Sequence, residues 1–294
     1  MNRTPRRGGF GAAFAALKTA LQWRLLLLWI LATLVPTLLV ATPLWQTLQG
    51  TFGHSLYAAQ IAAGKDMPLL MQGMAKISDH MGWLPVGIGG SVLLMVLVAP
   101  WLTGMVVASL RAGRRLGFGE LVHGGIAEYW RMFRMMLWSL IPLGIALAIG
   151  GGIMGAMHAG ADDAILASDA DAAGRNGMII AGIVFVLLHA TVEAGRGWLG
   201  ADRNLRSVIK AWWRGVKLLV RRPLATLLVY VVASLVGYGL AALFAWWRVR
   251  ADGTGTGAFV LSFLLGQAVV AMVAWARIAR VTGMASLAAG QARA

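Results

Sequence analysis

The feature that most constrains this chain is a series of apolar blocks, each about twenty residues long. One of them runs from Leu25 to Leu44 without a single charge. A helix of that length crosses a hydrocarbon core of ~30 Å. Charged residues make up only 13% of the 294 residues, about half of what a soluble surface requires. The chain is therefore expected to be an all-α membrane protein.

Six spans are expected near Arg24–Leu44, Leu84–Leu110, Met135–Met157, Met178–Trp198, Leu224–Trp247 and Ala258–Ile278. The net charge of +15 fits this arrangement. With an inside start, only Lys65, Lys76, Arg175, Arg248 and Arg250 face outward, leaving 21 of the 26 basic residues on the cytoplasmic side. Asp66, Asp79, Asp162, Asp163, Asp169, Asp171 and Asp252 collect on the other side. The positive-inside rule accounts for that sorting, so the basic balance does not call for nucleic acid. Both termini are expected in the cytoplasm, in a bacterial inner membrane. The first block is too long, and its basic flank too far from the start, for a cleaved signal peptide, so an uncleaved anchor is expected. Arg6-Arg7 is followed by Gly8-Gly9 and forms no twin-arginine export motif. Trp45, Trp83, Trp198, Trp246 and Trp247 fall at expected interfaces, where amphipathic rings are favoured.

The chain reads as a single membrane domain over 1–294 in which one unit repeats three times, near 10–115, 116–200 and 201–294. Each unit has a short amphipathic segment, a span, an outer loop and a returning span that ends in arginine: Ser109-Leu110-Arg111, Ala194-Gly195-Arg196, Trp275-Ala276-Arg277. All three enter from the same side, so the expected architecture is three parallel hairpins with interfacial helices on the cytoplasmic face. The third amphipathic segment is the clearest. Leu205, Val208, Ile209, Trp212, Val216, Leu219 and Val220 share one helical face, with Arg206, Lys210, Arg214, Lys217 and Arg221 on the other. Phe118 to Phe133 follows the same rhythm, and Phe10 to Leu21 follows it more weakly.

The stretch from Arg206 to Gly215, followed by Arg222-Pro223-Leu224, resembles a group of uncharacterised six-span bacterial inner-membrane proteins. More distantly it resembles the membrane domain fused to some glycerophosphodiester phosphodiesterases. The segment from Leu44 to Met74, with Gly53-His54-Ser55 and Gly64-Lys65-Asp66, looks like the same six-span group. The resemblance implies no activity, and no phosphodiesterase catalytic domain occurs in these residues.

Polar groups within the spans are the first functional suspects, because lipid makes them costly. His189 and Glu193 stand i, i+4 on the fourth span, and Arg196 follows at i+3. The trio reads either as a proton or cation relay or half-formed metal site, or as an ion pair near the boundary with His189 bonded to a neighbouring helix. Gln267 in the sixth span either lines a path or hydrogen-bonds across the bundle. Gly151-xxx-Gly155 and Ala233-xxx-Gly237-xxx-Ala241 are expected to let helices approach closely. The aspartates Asp162, Asp163, Asp169 and Asp171 lack the spacing of a calcium loop and are expected in a solvated loop.

No phosphate loop, Gly-x-Ser-x-Gly elbow or HExxH is present, and no pair of carboxylates is spaced for acid–base work. With no cysteine, thiolate chemistry is excluded. Neither a catalytic residue, a cofactor nor a resident metal is expected. The segment from Asp202 to Arg222 places Arg206, Lys210, Arg214, Lys217, Arg221 and Arg222 at headgroup level, where each cation gains roughly 1 kcal/mol near an anionic leaflet. The expected role is a non-enzymatic scaffold or partner-binding component that contacts anionic lipid. Its long basic segments leave room for a protein partner on the cytoplasmic face. The alternative is a transporter or lipid-handling protein with a path between the repeats.

Overall fold

In a computed structural model the chain is helical, with no strand among the described residues, which are 9–57, 60, 67–78, 80–162, 167–251 and 255–292. The helices are α1 (Gly9–Ala20), α2 (Trp23–Phe52), α3 (Met67–Ser78), α4 (Leu84–Ala112), α5 (Phe118–Asp162), α6 (Ala167–Ala201), α7 (Val208–Arg221), α8 (Pro223–Arg250) and α9 (Thr256–Ala292). Six of them, α2, α4, α5, α6, α8 and α9, are long and apolar enough to cross a membrane. They coincide with the six expected blocks. Arg3, Arg6, Arg7, Lys65, Asp66, Asp79, Asp163, Asp252 and Arg293 lie outside the described residues, as do the side chains of Asp162, Asp169 and Asp171.

Two expectations change. The amphipathic segment from Phe118 to Phe133 and the span after it form one uninterrupted 45-residue helix, α5. Nothing between Phe133 and Met135 breaks a helix, and the sequence there, Arg-Met-Met-Leu, is made of strong helix formers. Three of the four aspartates expected in a loop lie in helices instead: Asp162 ends α5, and Asp169 and Asp171 belong to α6. Alanine abounds around them, which favours helix over loop.

The chain divides into two compact units. The smaller comprises Leu28–Ala99. Within it, α2 and α4 touch where the Ser91 hydroxyl donates to the Pro36 carbonyl at 2.8 Å. Gly90 leaves room there for Leu39.

The larger unit comprises Met1–Leu27 with Pro100–Ala294. Its α5 packs along α6 and its α8 along α9, while α6 also touches α7 and α9. The core of this unit gathers at the ends of the helices where the arginines cluster, here called the basic end. On α6 every position from Ala190 to Gly200 is buried, and on α9 most positions from Ala274 to Ala288 are. Toward the opposite end, Met178, Ile183, Leu235, Phe259 and Leu264 stay exposed. Water alone would not tolerate so many bare apolar side chains on packed helices, whereas acyl chains solvate them.

Small residues set the close approaches in this core. A Cβ on Gly215 of α7 would stand 2.6 Å from both Gly195 N and Thr191 O of α6. Gly197 fits against Met284, Gly124 against Ala108, and Gly237 against Ala276. The Ala233-xxx-Gly237-xxx-Ala241 stripe is thus a packing face, buried at all three positions. Gly151 and Gly155 are not, since both face open space; on α5 it is Gly150 that meets Ala181. Of the expected interfacial tryptophans, Trp45, Trp246 and Trp247 are exposed, but Trp198 is buried in the core. There α7 covers it, with the Arg214 guanidinium 5.3 Å from its ring centre.

Candidate functional site

Two constellations of polar side chains stand out in the larger unit: a cluster centred on the buried Glu193, and the outer surface of α7.

The cluster starts from the periodicity of α6. His189, Glu193 and Arg196 share a face, and helix geometry alone brings the last two together. Arg196 Nη1 donates to Glu193 Oε1 at 2.7 Å, while His189 Nε2 stands 3.6 Å from the same oxygen. The Glu193 side chain is only 1% exposed, so this ion pair is dry. His189 Nδ1 lies 2.6 Å from the Tyr230 hydroxyl of α8, so the imidazole is bonded to a neighbouring helix. From α9, Arg280 donates to the Ser234 hydroxyl at 3.0 Å and the Tyr238 hydroxyl at 3.2 Å. The Arg280 guanidinium also lies over the Tyr230 and Tyr238 rings, at 5.5 and 5.3 Å. Arg277 donates to the Thr103 hydroxyl of α4 at 3.4 Å.

One carboxylate thus sits among three guanidinium groups. Burying that much charge is costly unless each ion is paired or hydrogen-bonded. The tyrosines offset part of the cost through hydroxyl acceptors and ring faces. Such a cluster can lock three helices in register. No group of three metal-binding side chains occurs among the described residues.

The sequence pointed to His189, Glu193 and Arg196, which the structure does bring together. It did not point to Arg277, Arg280, Tyr230, Ser234 and Tyr238. A signal existed: Tyr230, Ser234 and Tyr238 recur every four residues on an otherwise apolar helix, the spacing of one polar stripe. Gln267 is half-buried on α9, about 15 Å along the axis from Arg277, and joins none of these residues.

A second, partly buried ion network joins α4 to α5. Glu128 accepts from Arg111 at 2.5 Å and from Arg131 at 2.9 Å, and Arg111 also donates to the Leu199 carbonyl. Around Arg111, Arg203 and Arg222, a cavity of about 610 Å³ opens among α1 and the ends of α4, α6 and α9. Among the described residues no carboxylate lines it.

The outer constellation is built on α7. Ser207 caps the helix, accepting from Lys210 N at 3.3 Å. Three strips run along it. Val208, Ala211, Gly215 and Leu218 are buried. Next come Ile209, Trp213 and Val220, apolar yet exposed. Then come the exposed cations Arg206, Lys210, Lys217 and Arg221.

The apolar face read from the sequence therefore splits in two, one half docked on the core and the other bare. Arg214 and Arg222 are half-buried and stand apart from the four exposed cations. Arg214 donates to Asp202 Oδ2 at 2.8 Å. Burial works to raise the Asp202 carboxyl, but the Arg214 hydrogen bond, the Asn204 N–H and the Arg214 charge outweigh it and hold its pKa below the usual aspartate range. No protein-family model, curated protein or solved structure matches the chain, so its function rests on these two constellations alone.

Proposed function

We propose that this chain is a non-enzymatic component of the bacterial inner membrane, a scaffold that keeps its basic end in the cytoplasm and holds it against anionic lipid. The observation that carries this reading is the three-strip division of α7. A helix lying in a membrane interface and docked on its own bundle needs one buried strip, one strip for the acyl boundary and one for the headgroups. Gly215, Trp213 and Lys217 represent the three in turn.

The reading includes the three-hairpin repeat. The segments α1, the first turns of α5, and α7 each precede a span, and each crosses the end of a returning one. The contacts are Ala16 with Gly283 of α9, Gly124 with Ala108 of α4, and Gly215 with Gly195 of α6. Small residues recur at all three crossings, as copies of one unit would have them. A protein partner would meet the chain on this same basic face.

Lipid discs of mixed composition test the lipid part. The protein should enrich anionic lipid around itself, and the enrichment should fade as salt rises past the ~10 Å screening length of moderate ionic strength. Replacing Arg206, Lys210, Lys217 and Arg221 with glutamine should remove the salt-dependent share. Equal affinity for zwitterionic lipid, unaffected by salt, would leave these cations with topology only. Crosslinking in native membranes tests the scaffold part, which predicts a recurrent partner on the basic face.

The alternative, a lipid-handling protein or transporter, is favoured by one observation. The cavity at Arg111, Arg203 and Arg222 would accept an anionic group between helices of different hairpins. Reconstituted protein that moved labelled lipid between leaflets would establish it.

A further inference from the structure

Between α5 and α7 runs an open groove of about 680 Å³, lined by Arg134, Leu137, Ile141, Arg206, Val208 and Ile209, with Trp138 and Ser207 completing it. Its lining is of two kinds. Arg134 and Arg206 are its cations. Arg134 spends its Nε on the Trp130 carbonyl at 3.3 Å, and neither arginine forms an ion pair with an acid among the described residues. The nearby carboxylates are engaged elsewhere, Glu128 with Arg111 and Arg131, and Asp202 with Arg214. The first turn of α7 opens on the same groove through Ser207, Val208 and Ile209. Ser207 caps only the Lys210 N–H, so the positive end of that helix adds to the field of the two arginines.

Away from the arginines the groove is apolar. Leu137 and Ile141 follow Arg134 at i+3 and i+7 on α5, and Ile145 continues the strip; all three are exposed. From Arg134 to Ile145 the strip is about 16 Å long, the scale of an extended acyl chain. It runs into the apolar stretch that would lie within the bilayer.

We propose that this groove is a binding site for one anionic phospholipid. Its phosphate bridges Arg134 and Arg206 at the N-terminus of α7, and one acyl chain lies along Leu137, Ile141 and Ile145. Planar guanidinium groups suit phosphate oxygens through paired, charge-assisted hydrogen bonds. Among the described residues no carboxylate lines the groove to receive the ammonium of a zwitterionic headgroup, so charge selects the anionic class. The inference deepens the reading of α7 as a lipid-facing helix, and it brings in Arg134, which belongs to no amphipathic strip of α7.

Native mass spectrometry of the full-length protein in mild detergent tests it, with phosphatidylglycerol, phosphatidylcholine and free glycerol phosphate as probes. The parent should hold one phosphatidylglycerol about tenfold or more tighter than phosphatidylcholine, and glycerol phosphate should not displace it, since the chain contributes to binding. The double variant Arg134→Gln with Arg206→Gln should lose that preference. Ile141→Trp, which fills the groove and leaves both arginines, should lower retention of both lipids. Lys210→Gln with Lys217→Gln and Arg221→Gln, on α7 but outside the groove, should weaken the looser salt-dependent enrichment of anionic lipid and still retain the one lipid held in the groove.

A preference that survives the arginine variant and vanishes in the lysine-containing one overturns the groove but leaves the reading of α7 standing. A parent with no preference at all overturns both. Displacement by glycerol phosphate would make the site one for a free phosphate ester, and the lipid assignment would fall.

Discussion

Glu193 is the residue on which the α6 cluster depends. A single carboxylate faces Arg196 directly and sits within the field of Arg277 and Arg280, so removing its charge takes the hydrogen-bonded anion from the buried Arg196. Glu193→Gln is therefore expected to cost about 3 kcal/mol or more, the scale for breaking one side of a buried pair. Tyr230→Phe removes one neutral hydrogen bond to His189 and is expected to cost about 1 kcal/mol. Denaturation of the purified variants in detergent measures both. Proton or metal flux through vesicles that disappears in the glutamine variant would instead make Glu193 a relay. From the sequence, the Glu193–Arg196 pair was legible because helix spacing fixes it. The arginines of α9 were not, because their approach depends on which helices pack together, and one strand of sequence does not encode that pairing locally.

At the scale of the element, α7 illustrates how far periodicity reaches. Its helical form and its basic strip follow from the spacing of Arg206, Lys210, Lys217 and Arg221. Periodicity cannot divide an apolar arc between protein and lipid, since both reward the same side chains. Here the division is made by small residues: where Ala211 and Gly215 occur, the backbone of α6 comes close. Gly215→Val should accordingly push α7 off α6 and cost about 1–3 kcal/mol or more, because the obstacle is backbone and cannot turn aside. As a control, Gly151→Ala on α5 meets nothing within 4 Å and should be neutral or stabilising by up to about 1 kcal/mol. Thermal unfolding of the two variants decides. If Gly215→Val proved silent, the close crossing of α6 and α7 would be wrong. The continuous α5 is the opposite case. The same rhythm that marked Phe118 to Phe133 as amphipathic carried no signal for a break, and the helix runs through.

For the molecule as a whole, composition decided most. Six apolar blocks became six helices able to span a bilayer, with boundaries extended by the helical turns that continue past the lipid-length stretch. Orientation is a matter of charge, and it is open to direct test. Reporters fused after Arg114, after Arg206 and at the C-terminus should all read cytoplasmic, and one near Asp163 should read external. An external C-terminus would break the six-span arrangement. The position of the core along the helices was not legible. Burial at Ala190–Gly200 and Ala274–Ala288 arises where α1 and α7 pack against the long helices α6 and α9, a tertiary event that hydropathy averages away.

That offset core has a consequence for the bilayer itself. In the larger unit, the side chains that fix helix positions are concentrated toward one leaflet, and those toward the other meet mainly acyl chains. A change in membrane thickness is a modest load, a fraction of a kcal/mol per Å of mismatch. It will be absorbed where helix–helix contacts are fewest, by tilting of the outer halves of α5, α6, α8 and α9, while the basic end holds its geometry. Such a protein would tolerate membranes of different thickness and still present the same basic face to whatever meets it there.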